Sequence, residues 1–266
     1  MNKNETNGTY KTTCCYCGVG CGILVKKDAN GFVQVEGDPE HPVNRGLLCS
    51  KGMNLHHTVN NKEDRLLFPQ MRWSRNHPLE RISWELAMDR TAKVFRTLIQ
   101  KYGPDSVAFY ASGQCLTEEY YVINKLAKGF IGTNNIDTNS RLCMSSAVVG
   151  YKKTLGEDSV PVCYDDIELA DTLLVAGANP AWCHPILWRR VEAAKAANPR
   201  LKIIVTDPRK TQSAQFADLH LPIYPGTDIT LHHALGRLLI EGNYLDAAFI
   251  ENHCEGFEAY KKQVFA

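Results

Sequence analysis

The feature that most constrains this chain is a crowd of cysteines near its start. In "TTCCYCGVGCGILV", four cysteines fall between Cys14 and Cys21, and Cys49 follows after a gap of 27 residues. Cys14, Cys17 and Cys21 have the spacing C-x2-C-x3-C. Cys15 stands outside this spacing, and we expect it to pack in the interior. We expect the other scattered cysteines to be small core residues.

The spacing favours a 4Fe-4S cluster over zinc. A cubic cluster takes one thiolate at each of its four irons, so a triplet can bind one face and a distant cysteine the far corner. Structural zinc sites more often pair their cysteines as two C-x2-C knuckles. The predicted ligands are Cys14, Cys17, Cys21 and Cys49. We expect three glycines to let the backbone bend around the sulfurs: Gly18, Gly20 and Gly22.

Composition excludes several classes of protein. The 266 residues are enough for one large domain or two ordinary ones. A net charge of +1 gives no field for nucleic acid or a membrane surface. The sequence has no apolar run long enough to span a bilayer, so no membrane span is predicted. The polar start, "MNKNETNGTYKTTCC", lacks an export signal, so we expect a cytoplasmic protein without a disulfide framework.

Local patterns predict a small first domain. Residues 21–36 read as a β-hairpin whose turn contains Asn30-Gly31. A short helix is predicted from Met53 to His57. The polar stretch "NNKEDR" follows, and we place a domain boundary there, with a cluster domain at 1–63 and an α/β region at 64–266.

The second region alternates strands and helices. We predict a helix from Ser83, its cap, to Tyr102, ended by Gly103-Pro104. Its apolar face comprises Trp84, Ala87, Met88, Thr91, Phe95, Leu98 and Tyr102. "SVAFYAS" is predicted to be a buried strand, and Thr117 to open a helix reaching about Ile131.

A strand–helix–strand unit follows, made of "DTLLVAG", "CHPILWRRVEAAKAA" and "LKIIVTD". The predicted fold class is therefore α/β: a small N-terminal iron–sulfur domain with β-hairpins, then a doubly wound parallel region of the dinucleotide-binding kind. Ligands of such sheets lie beyond the carboxyl ends of the strands. "GANPAWCHP", "DPRKTQ" and the turn "PGTD" at 225–228 occupy such places.

The string "CCYCGVGCGILV … GDPEHPVNRGLLCSKG" resembles the start of the molybdopterin oxidoreductases that carry bis-molybdopterin guanine dinucleotide. The resemblance covers essentially the whole chain. It implies that the cysteine motif binds a 4Fe-4S cluster and that Lys51 bridges cluster and pterin and helps electrons to pass. From the residues alone, Lys51 would be an ordinary surface lysine, although a thiolate cluster gives it an electrostatic reason to be buried.

A second segment, "IDTNSRLCMSSAVVGYKKTLG", resembles the family segment that brings a cysteine or selenocysteine to the metal. The match implies that Cys143 ligates molybdenum, and a soft thiolate suits that role. The next residue, Met144, is typical of nitrate reductases, whereas formate dehydrogenases usually have histidine there. Arg141 either attracts an anionic substrate or forms a structural salt bridge.

The resemblance also implies contacts to the molybdenum bis-molybdopterin guanine dinucleotide cofactor. Asp207 suits a guanine or ribose, since a carboxylate accepts two hydrogen bonds. For each single residue of this set, an ordinary turn is the alternative. The implied set is Lys51, Gln114, Asn139, Ala176, Gly177, Asn179, Pro180, Cys183, Thr206, Asp207, Pro208, Arg209, Gly226 and Asp228.

The resemblance is strongest to cytoplasmic assimilatory nitrate reductases. It implies reduction of nitrate to nitrite by oxygen-atom transfer, with electrons from a ferredoxin, a flavodoxin or an NADH-linked reductase passing through the cluster. A formate dehydrogenase catalytic subunit and a non-catalytic iron–sulfur electron-transfer subunit are the alternatives. Family members are much longer, so we expect an N-terminal part that binds the cluster without a complete bis-pterin cradle.

Overall fold

The computed structural model describes residues 8–63 and 65–266. The chain divides into two compact units between Cys163 and Tyr164. They are called here the N-terminal and C-terminal units. The predicted boundary between residues 63 and 64 falls beside Asp64, outside the described residues, and stays a prediction.

The N-terminal unit begins with a three-stranded antiparallel sheet. Its strands are β1 (Thr9–Thr13), β2 (Gly22–Lys27) and β3 (Val33–Gly37), in that order. The β2–β3 hairpin confirms the prediction, and the Asp28 carboxylate shapes its turn by accepting from the Asn30 and Phe32 amides. Strand β1 was missed because its sequence is polar. All five of its residues pair with β2, from Thr9↔Lys26 to Thr13↔Gly22, while most of its side chains stay exposed.

Two short helices, α1 (Ser50–Met53) and α2 (His57–Asn60), replace the predicted helix at 53–57. The prediction was wrong because Cys49 has the extended backbone of an N-cap residue, so helix α1 starts directly after it. Asn54 ends α1, and its side-chain amide donates to the Ser50 carbonyl at 2.8 Å. A short antiparallel pair follows, in which the two-residue strands β4 (Gln70–Met71) and β5 (Glu80–Arg81) bond to each other.

The long helix α3 (Trp84–Tyr102) has the predicted bounds. The Ser83 hydroxyl accepts from the Leu86 amide at 3.1 Å and caps it, and Gly103 ends it with φ 83°. Its predicted apolar face is not buried in this chain. Trp84, Met88 and Tyr102 are each more than half exposed.

A two-stranded parallel sheet follows, with β6 (Phe109–Ala111) beside β7 (Ile136–Thr138). β6 is shorter than the predicted strand, and Tyr110 at its centre is exposed rather than buried. Helix α4 (Thr117–Asn124) continues as a π-helical segment, Lys125–Ile131, so the predicted helical range is confirmed. Helix α5 (Ser140–Leu155) completes the unit.

The C-terminal unit has a parallel sheet of order β10-β9-β8, which confirms the predicted strand–helix–strand unit. Among the described residues no helix is both long and apolar enough to cross a bilayer. In chain order the elements are α6 (Asp166–Leu169), β8 (Thr172–Ala176), α7 (Pro180–Cys183), α8 (Pro185–Ala197), β9 (Lys202–Thr206), α9 (Gln212–Phe216), β10 (Leu219–Leu221), α10 (Asp228–Glu241), α11 (Ala247–His253) and α12 (Phe257–Phe265).

The core of this unit lies between β9 and the helices α8 and α9. Ile203 and Val205 on β9 are fully buried, and Leu201 precedes them. Trp188 of α8 meets Phe216 of α9 edge to face, with ring centroids 5.6 Å apart. Because β9 is the central strand, its apolar side chains hold the sheet and both helices together.

Asp218 joins helix α8 and strand β9 through hydrogen bonds. Both of its carboxylate oxygens accept from the Lys195 ammonium of α8 at 2.9 Å, and one also accepts from the Ile203 amide of β9 at 2.8 Å. The hydrogen bond from Lys195, followed by that from Ile203, lowers the pKa of Asp218 below its usual value. The ionised carboxylate is thus favoured by folding.

We predict that Ile203→Ala destabilises the chain by about 2–5 kcal/mol, since it removes a fully buried side chain and leaves a cavity. Urea unfolding followed by circular dichroism measures this. Leu174→Ala on the neighbouring strand β8 is the control: Leu174 is 48% exposed, and its loss should cost much less. Equal losses would contradict the assigned core.

Acid should weaken the Asp218 contact. Because its pKa is lower folded than unfolded, its contribution is present above the unfolded value of about 4 and is lost as pH falls further, through the folded pKa. Asp218→Asn should therefore lower the melting temperature at pH 7. The difference in melting temperature between this variant and wild type should become smaller near pH 3. A gap that is constant with pH would contradict the role given to the carboxylate.

Candidate redox centre

The predicted cluster ligands lie on a tight loop and at one helix start. Cys14 and Cys21 bracket the turn between β1 and β2, and the Cys14 amide donates to the Cys21 carbonyl at 2.9 Å. Cys17 lies on the loop between them, and Cys49 immediately precedes α1. Strand pairing thus fixes Cys14 and Cys21 at the two ends of the loop that carries Cys17, and Cys49 is placed as the N-cap residue of α1.

Buried Asn44 joins these two places, and the sequence analysis missed it. Its side-chain oxygen accepts from the Gly22 amide at 2.7 Å, while its nitrogen donates to the Gly22 carbonyl at 3.0 Å. The same nitrogen also donates to the Leu47 carbonyl at 2.9 Å. Asn44 therefore fixes the residue after Cys21 against the segment that leads to Cys49. The phrase "HPVNRG" between two cysteine groups was the available signal.

The four thiols are electrostatic neighbours. Burial is the main cause that raises the pKa of the Cys21 thiol to about 11, and the thiols of Cys14, Cys17 and Cys49 raise it further. Burial also raises the pKa of Cys14, while a hydrogen bond from the Tyr16 backbone lowers it. Buried thiols such as Cys14 and Cys21, whose pKa is raised, suit a cationic iron centre, which stabilises their thiolates.

This arrangement is not a closed cage for one ion. Over residues 8–63 and 65–266, no three His, Cys, Asp or Glu side chains converge tightly enough to hold a single metal ion. A 4Fe-4S cluster instead takes its thiolates at four separate irons. Cys15 is exposed on the loop after β1, so the expectation that it packs inside was wrong. Among the other scattered cysteines none is buried.

Two of the three glycines in the cysteine loop are needed for its path. Gly20 has φ 75°, which other residues rarely adopt. At Gly22 a Cβ would lie 2.3 Å from the ring of His41, so a side chain there would displace the His41 segment. Gly18 has neither constraint, and its role stays a prediction.

Lys51 lies in α1, two residues after Cys49, and its side chain is exposed. The lysine is nevertheless held close to the cysteine segment by a helix that begins at that cysteine. Its bridging role stays a prediction.

A series of hydrogen bonds joins the cysteine loop to the segment of Cys143. The Gln114 side-chain amide donates to the Tyr16 carbonyl inside the loop at 3.0 Å. The neighbouring Gly113 amide donates to the Asn139 side chain at 2.5 Å, and a Cβ at Gly113 would come within 2.7 Å of that oxygen. The Cys143 amide in turn donates to the Asn139 carbonyl at 3.3 Å. The structure thus brings together the predicted contacts Gln114 and Asn139.

Cys143 presents a free, exposed thiol in the first turn of α5. Its nearest described polar contact is long: the sulfur lies 3.9 Å from the Ser140 carbonyl. Met144 beside it is 39% exposed. The Arg141 Nε forms an ion pair with Asp137 at 2.8 Å, which raises the pKa of Arg141 and lowers that of Asp137.

The C-terminal unit places most remaining predicted contacts at the ends of its strands. Ala176 ends β8, and the Gly177 amide donates to the Thr206 carbonyl at the end of β9 at 2.8 Å. The Asn179 side-chain oxygen accepts from the Ser213 hydroxyl at 2.8 Å. Pro180 opens α7. The loops after β8 and β9 are therefore held side by side.

The Thr206 hydroxyl is a buried polar group at this edge of the sheet. Thr206 is 1% exposed, and its hydroxyl finds no hydrogen-bond partner in the described part of the chain. The Asp207 carboxylate accepts from the Arg209 amide at 2.7 Å, which orients the turn through Pro208. An unpaired donor beside a carboxylate fits the polar edge of a nucleotide.

The same loops surround a cavity of about 280 Å³. The Cys183 sulfur next to it lies 3.1 Å from His184 Nδ1. Gly226, with φ 84°, and Asp228, the first residue of α10, form the third predicted contact. The cavity is lined by Asn179, Trp182, Arg209, Lys210, Thr211, Gln212 and Gln215.

Comparison with known protein families identifies the family to which the chain belongs. Residues 65–250 match the molybdopterin oxidoreductase family, and residues 8–61 match the Fe4S4 domain of molybdopterin oxidoreductases. The chain belongs to the molybdopterin oxidoreductase family. The two matched domains imply a molybdopterin cofactor and a 4Fe-4S cluster, as the sequence predicted.

Among molybdopterin oxidoreductases of known sequence, the chain is 48% identical over 94% of its length to a nitrate reductase of Symbiobacterium thermophilum. It is 50% identical over 82% of its length to a nitrate reductase of Klebsiella oxytoca. It is also 43% identical over 97% of its length to a periplasmic nitrate reductase of Desulfovibrio desulfuricans.

The chain spans 33%, 24% and 35% of those three relatives, respectively. A solved structure, acetylene hydratase from Pelobacter acetylenicus, superposes on 96% of this chain with a TM-score of 0.80 and 27% identity, covering 35% of that protein. Both comparisons confirm the predicted fold class. The roles of individual site residues stay predictions.

We predict that Cys21→Ser lowers the iron bound by the anaerobically purified chain from about four atoms to less than one, since each cluster iron needs a thiolate. Iron analysis and visible absorption measure this. Cys254→Ser, which alters an exposed cysteine far along the chain, is the control and should keep its iron. Full iron in the Cys21 variant would contradict the ligand assignment.

Proposed function

We propose that this chain is the N-terminal part of the catalytic subunit of a molybdenum-dependent nitrate reductase, of the cytoplasmic assimilatory type. The observation that carries the proposal is its 43–50% identity to proteins named nitrate reductase in four of the five relatives and periplasmic nitrate reductase in the fifth. The fold alone would not carry it, because the similar solved structure is named a hydratase.

In this proposal the N-terminal unit holds and tunes the electron-transfer centre. Cys14, Cys17, Cys21 and Cys49 bind the 4Fe-4S cluster. Their loop supplies backbone N–H groups such as that of Tyr16, which hydrogen-bonds to the Cys14 sulfur. Such hydrogen bonds stabilise the reduced, more negative cluster and raise its potential. Lys51 adds a positive charge beside Cys49.

Cys143 is the proposed molybdenum ligand. Its exposed thiol is fixed by the first turn of α5, and Asn139 ties that turn to Gly113. When bound, the molybdenum bis-molybdopterin guanine dinucleotide cofactor supplies oxygen-atom transfer, in which nitrate, two electrons and two protons give nitrite and water. The residues of the chain position that chemistry and exclude water from it.

Arg141 and Met144 are proposed to face the substrate. The Arg141–Asp137 pair uses Nε, so it orients the guanidinium while leaving the terminal nitrogens to attract nitrate. Met144 contributes an apolar, unreactive wall, whereas a histidine at that position would offer a proton acceptor suited to formate. This difference favours nitrate over formate.

The C-terminal unit is proposed to receive a guanine dinucleotide arm. Asp207 accepts hydrogen bonds from the base or ribose, and the buried Thr206 hydroxyl completes the polar edge. Gly226 and Asp228 form the third contact. A ferredoxin, a flavodoxin or an NADH-linked reductase delivers the electrons.

A chimera tests the proposal. This chain replaces the matching third of the Symbiobacterium thermophilum nitrate reductase, and nitrite formation is measured with a reduced viologen dye. We expect nitrate reduction, and we expect Cys143→Ser to lower it by at least about 100-fold, since a metal ligand is lost. Cys254→Ser is the matched control and should keep the activity.

Formate oxidation without nitrate reduction would instead support the formate dehydrogenase alternative. Iron without molybdenum in an otherwise folded chimera would support a non-catalytic electron-transfer subunit. Either outcome would refute the nitrate reductase assignment.

A further inference from the structure

His220 is a polar residue of the C-terminal unit that lies outside the predicted contacts. It belongs to strand β10, where it pairs with Val205 of β9, and it is half-buried. Its ring Nε2 lies 2.8 Å from the carbonyl oxygen of Asp207, the first residue after β9. Because a carbonyl oxygen only accepts hydrogen bonds, Nε2 carries the hydrogen and the imidazole is the donor. A side chain of one strand thus holds the main chain of the loop that follows the neighbouring strand.

The imidazole replaces a main-chain partner at the end of the β9–β10 ladder. In a regular parallel ladder, the Asp207 amide donates to the carbonyl of residue 221, and the Asp207 carbonyl accepts from the amide of residue 223. The first bond is present, from Asp207 to Leu221 at 3.3 Å. The second is missing from its usual place, because the Ile223 amide donates to the Leu221 carbonyl at 3.0 Å instead. Strand β10 therefore holds the Asp207 amide through its backbone and the Asp207 carbonyl through His220.

The side chain of Asp207 is buried and has spare hydrogen-bonding capacity. The residue is 6% exposed, and among the described residues its carboxylate has one hydrogen-bond donor, the Arg209 amide at 2.7 Å. A carboxylate has about four lone-pair positions, so most of them stay open. The hydroxyl of Thr206, the preceding residue, is buried without a partner in the same part of the chain. Buried polar groups with unused capacity cost free energy, so both groups favour a polar ligand at this edge of the sheet.

A buried carboxylate can distinguish guanine from adenine. Guanine presents two neighbouring N–H donors, one on its ring and one on its exocyclic amine, and these match the two oxygens of one carboxylate. Adenine has a ring acceptor at the corresponding place, which a carboxylate repels. The paired hydrogen bonds form well only when the carboxylate is held at the correct angle to the base. The main-chain conformation of Asp207 sets that angle.

We propose that His220 is a positioning residue that gives the C-terminal unit its preference for a guanine base. By holding the Asp207 carbonyl, the imidazole fixes the main chain that directs the carboxylate at the N–H donors of guanine. This role rests on the guanine dinucleotide arm of the proposed function, to which it adds the residue that orients the base-reading group. His220 itself does not touch the base.

The position of His220 separates this role from the packing of the core. The buried apolar cluster of the unit is formed by side chains of β9, α8 and α9, among them Val205 and Trp188, and His220 lies outside it. Replacement of the half-buried imidazole therefore leaves the core packing intact. It frees the Asp207 carbonyl, so the main effect is expected on base preference and not on stability.

Isothermal titration calorimetry of the full chain with guanosine diphosphate and adenosine diphosphate tests the proposal. These probes differ in the base alone, and their binding needs neither molybdenum nor nitrate. We expect the wild-type chain to bind guanosine diphosphate at least about tenfold more tightly, because adenine lacks the paired donors that the buried carboxylate needs. Asp207→Asn should reduce this preference to within about twofold, since its amide nitrogen faces a guanine donor with another donor.

Three histidine variants test whether the imidazole orients Asp207. His220→Leu removes the donor and should lower the preference for guanosine diphosphate at least about fivefold. His220→Gln keeps a side-chain N–H that can reach the Asp207 carbonyl, so its preference should stay within about twofold of wild type. His253→Leu, which removes an exposed histidine of α11, is the matched control and should leave the preference unchanged. All three variants should melt within a few degrees of wild type.

An unchanged preference in His220→Leu would overturn the role of His220. A loss in His220→Gln as large as that in His220→Leu would overturn it too, because the donated hydrogen bond would then not be the cause. Equal or undetectable binding of the two diphosphates by the wild-type chain would overturn it together with the base contact of Asp207. Nitrate reduction is measured separately in the chimera, so a failure here is distinct from a failure of the nitrate reductase assignment.

Discussion

The hydrogen bond from Gln114 to the Tyr16 carbonyl joins two parts of the chain that are 98 residues apart. Because Tyr16 lies between Cys14 and Cys17, this bond ties the cysteine loop to the segment after β6. Gly113 continues the connection to Asn139, and through Asn139 to the helix that carries Cys143. The proposed electron-transfer and molybdenum positions therefore share one hydrogen-bonded frame. A change in the cysteine loop has a direct structural route to α5 without any contact between the thiols themselves.

The two units hold their own predicted contact residues in different ways. The C-terminal unit has a dense core around β9, so its nucleotide-type loops emerge from strands that apolar packing already fixes. The N-terminal unit depends more on polar contacts, above all on Asn44, and leaves one side of α3 and one face of β6–β7 exposed.

Much of this could be predicted from the sequence, for physical reasons that are local. The cysteine spacing, the Ser83 cap, Gly103 and the alternation of strand and helix around β8 and β9 each depend on near neighbours along the chain. The prediction failed where distant contacts decide. Polar β1 exists because β2 offers it a partner, and the α3 face is largely exposed because the three-residue strands β6 and β7 extend along only a small part of it. Asn44 was missed because "HPVNRG" signals a turn between the cysteine groups but does not specify its partner, Gly22, which lies 22 residues earlier in the chain.

The central claim is that the cysteine group holds a 4Fe-4S cluster, and electron paramagnetic resonance of the dithionite-reduced chain, purified without oxygen and paired with metal analysis by mass spectrometry, tests it most directly. The account predicts about four irons per chain and the spectrum of one reduced cluster. Stoichiometric zinc with no paramagnetic signal would contradict it, and with it the reading of the whole N-terminal unit.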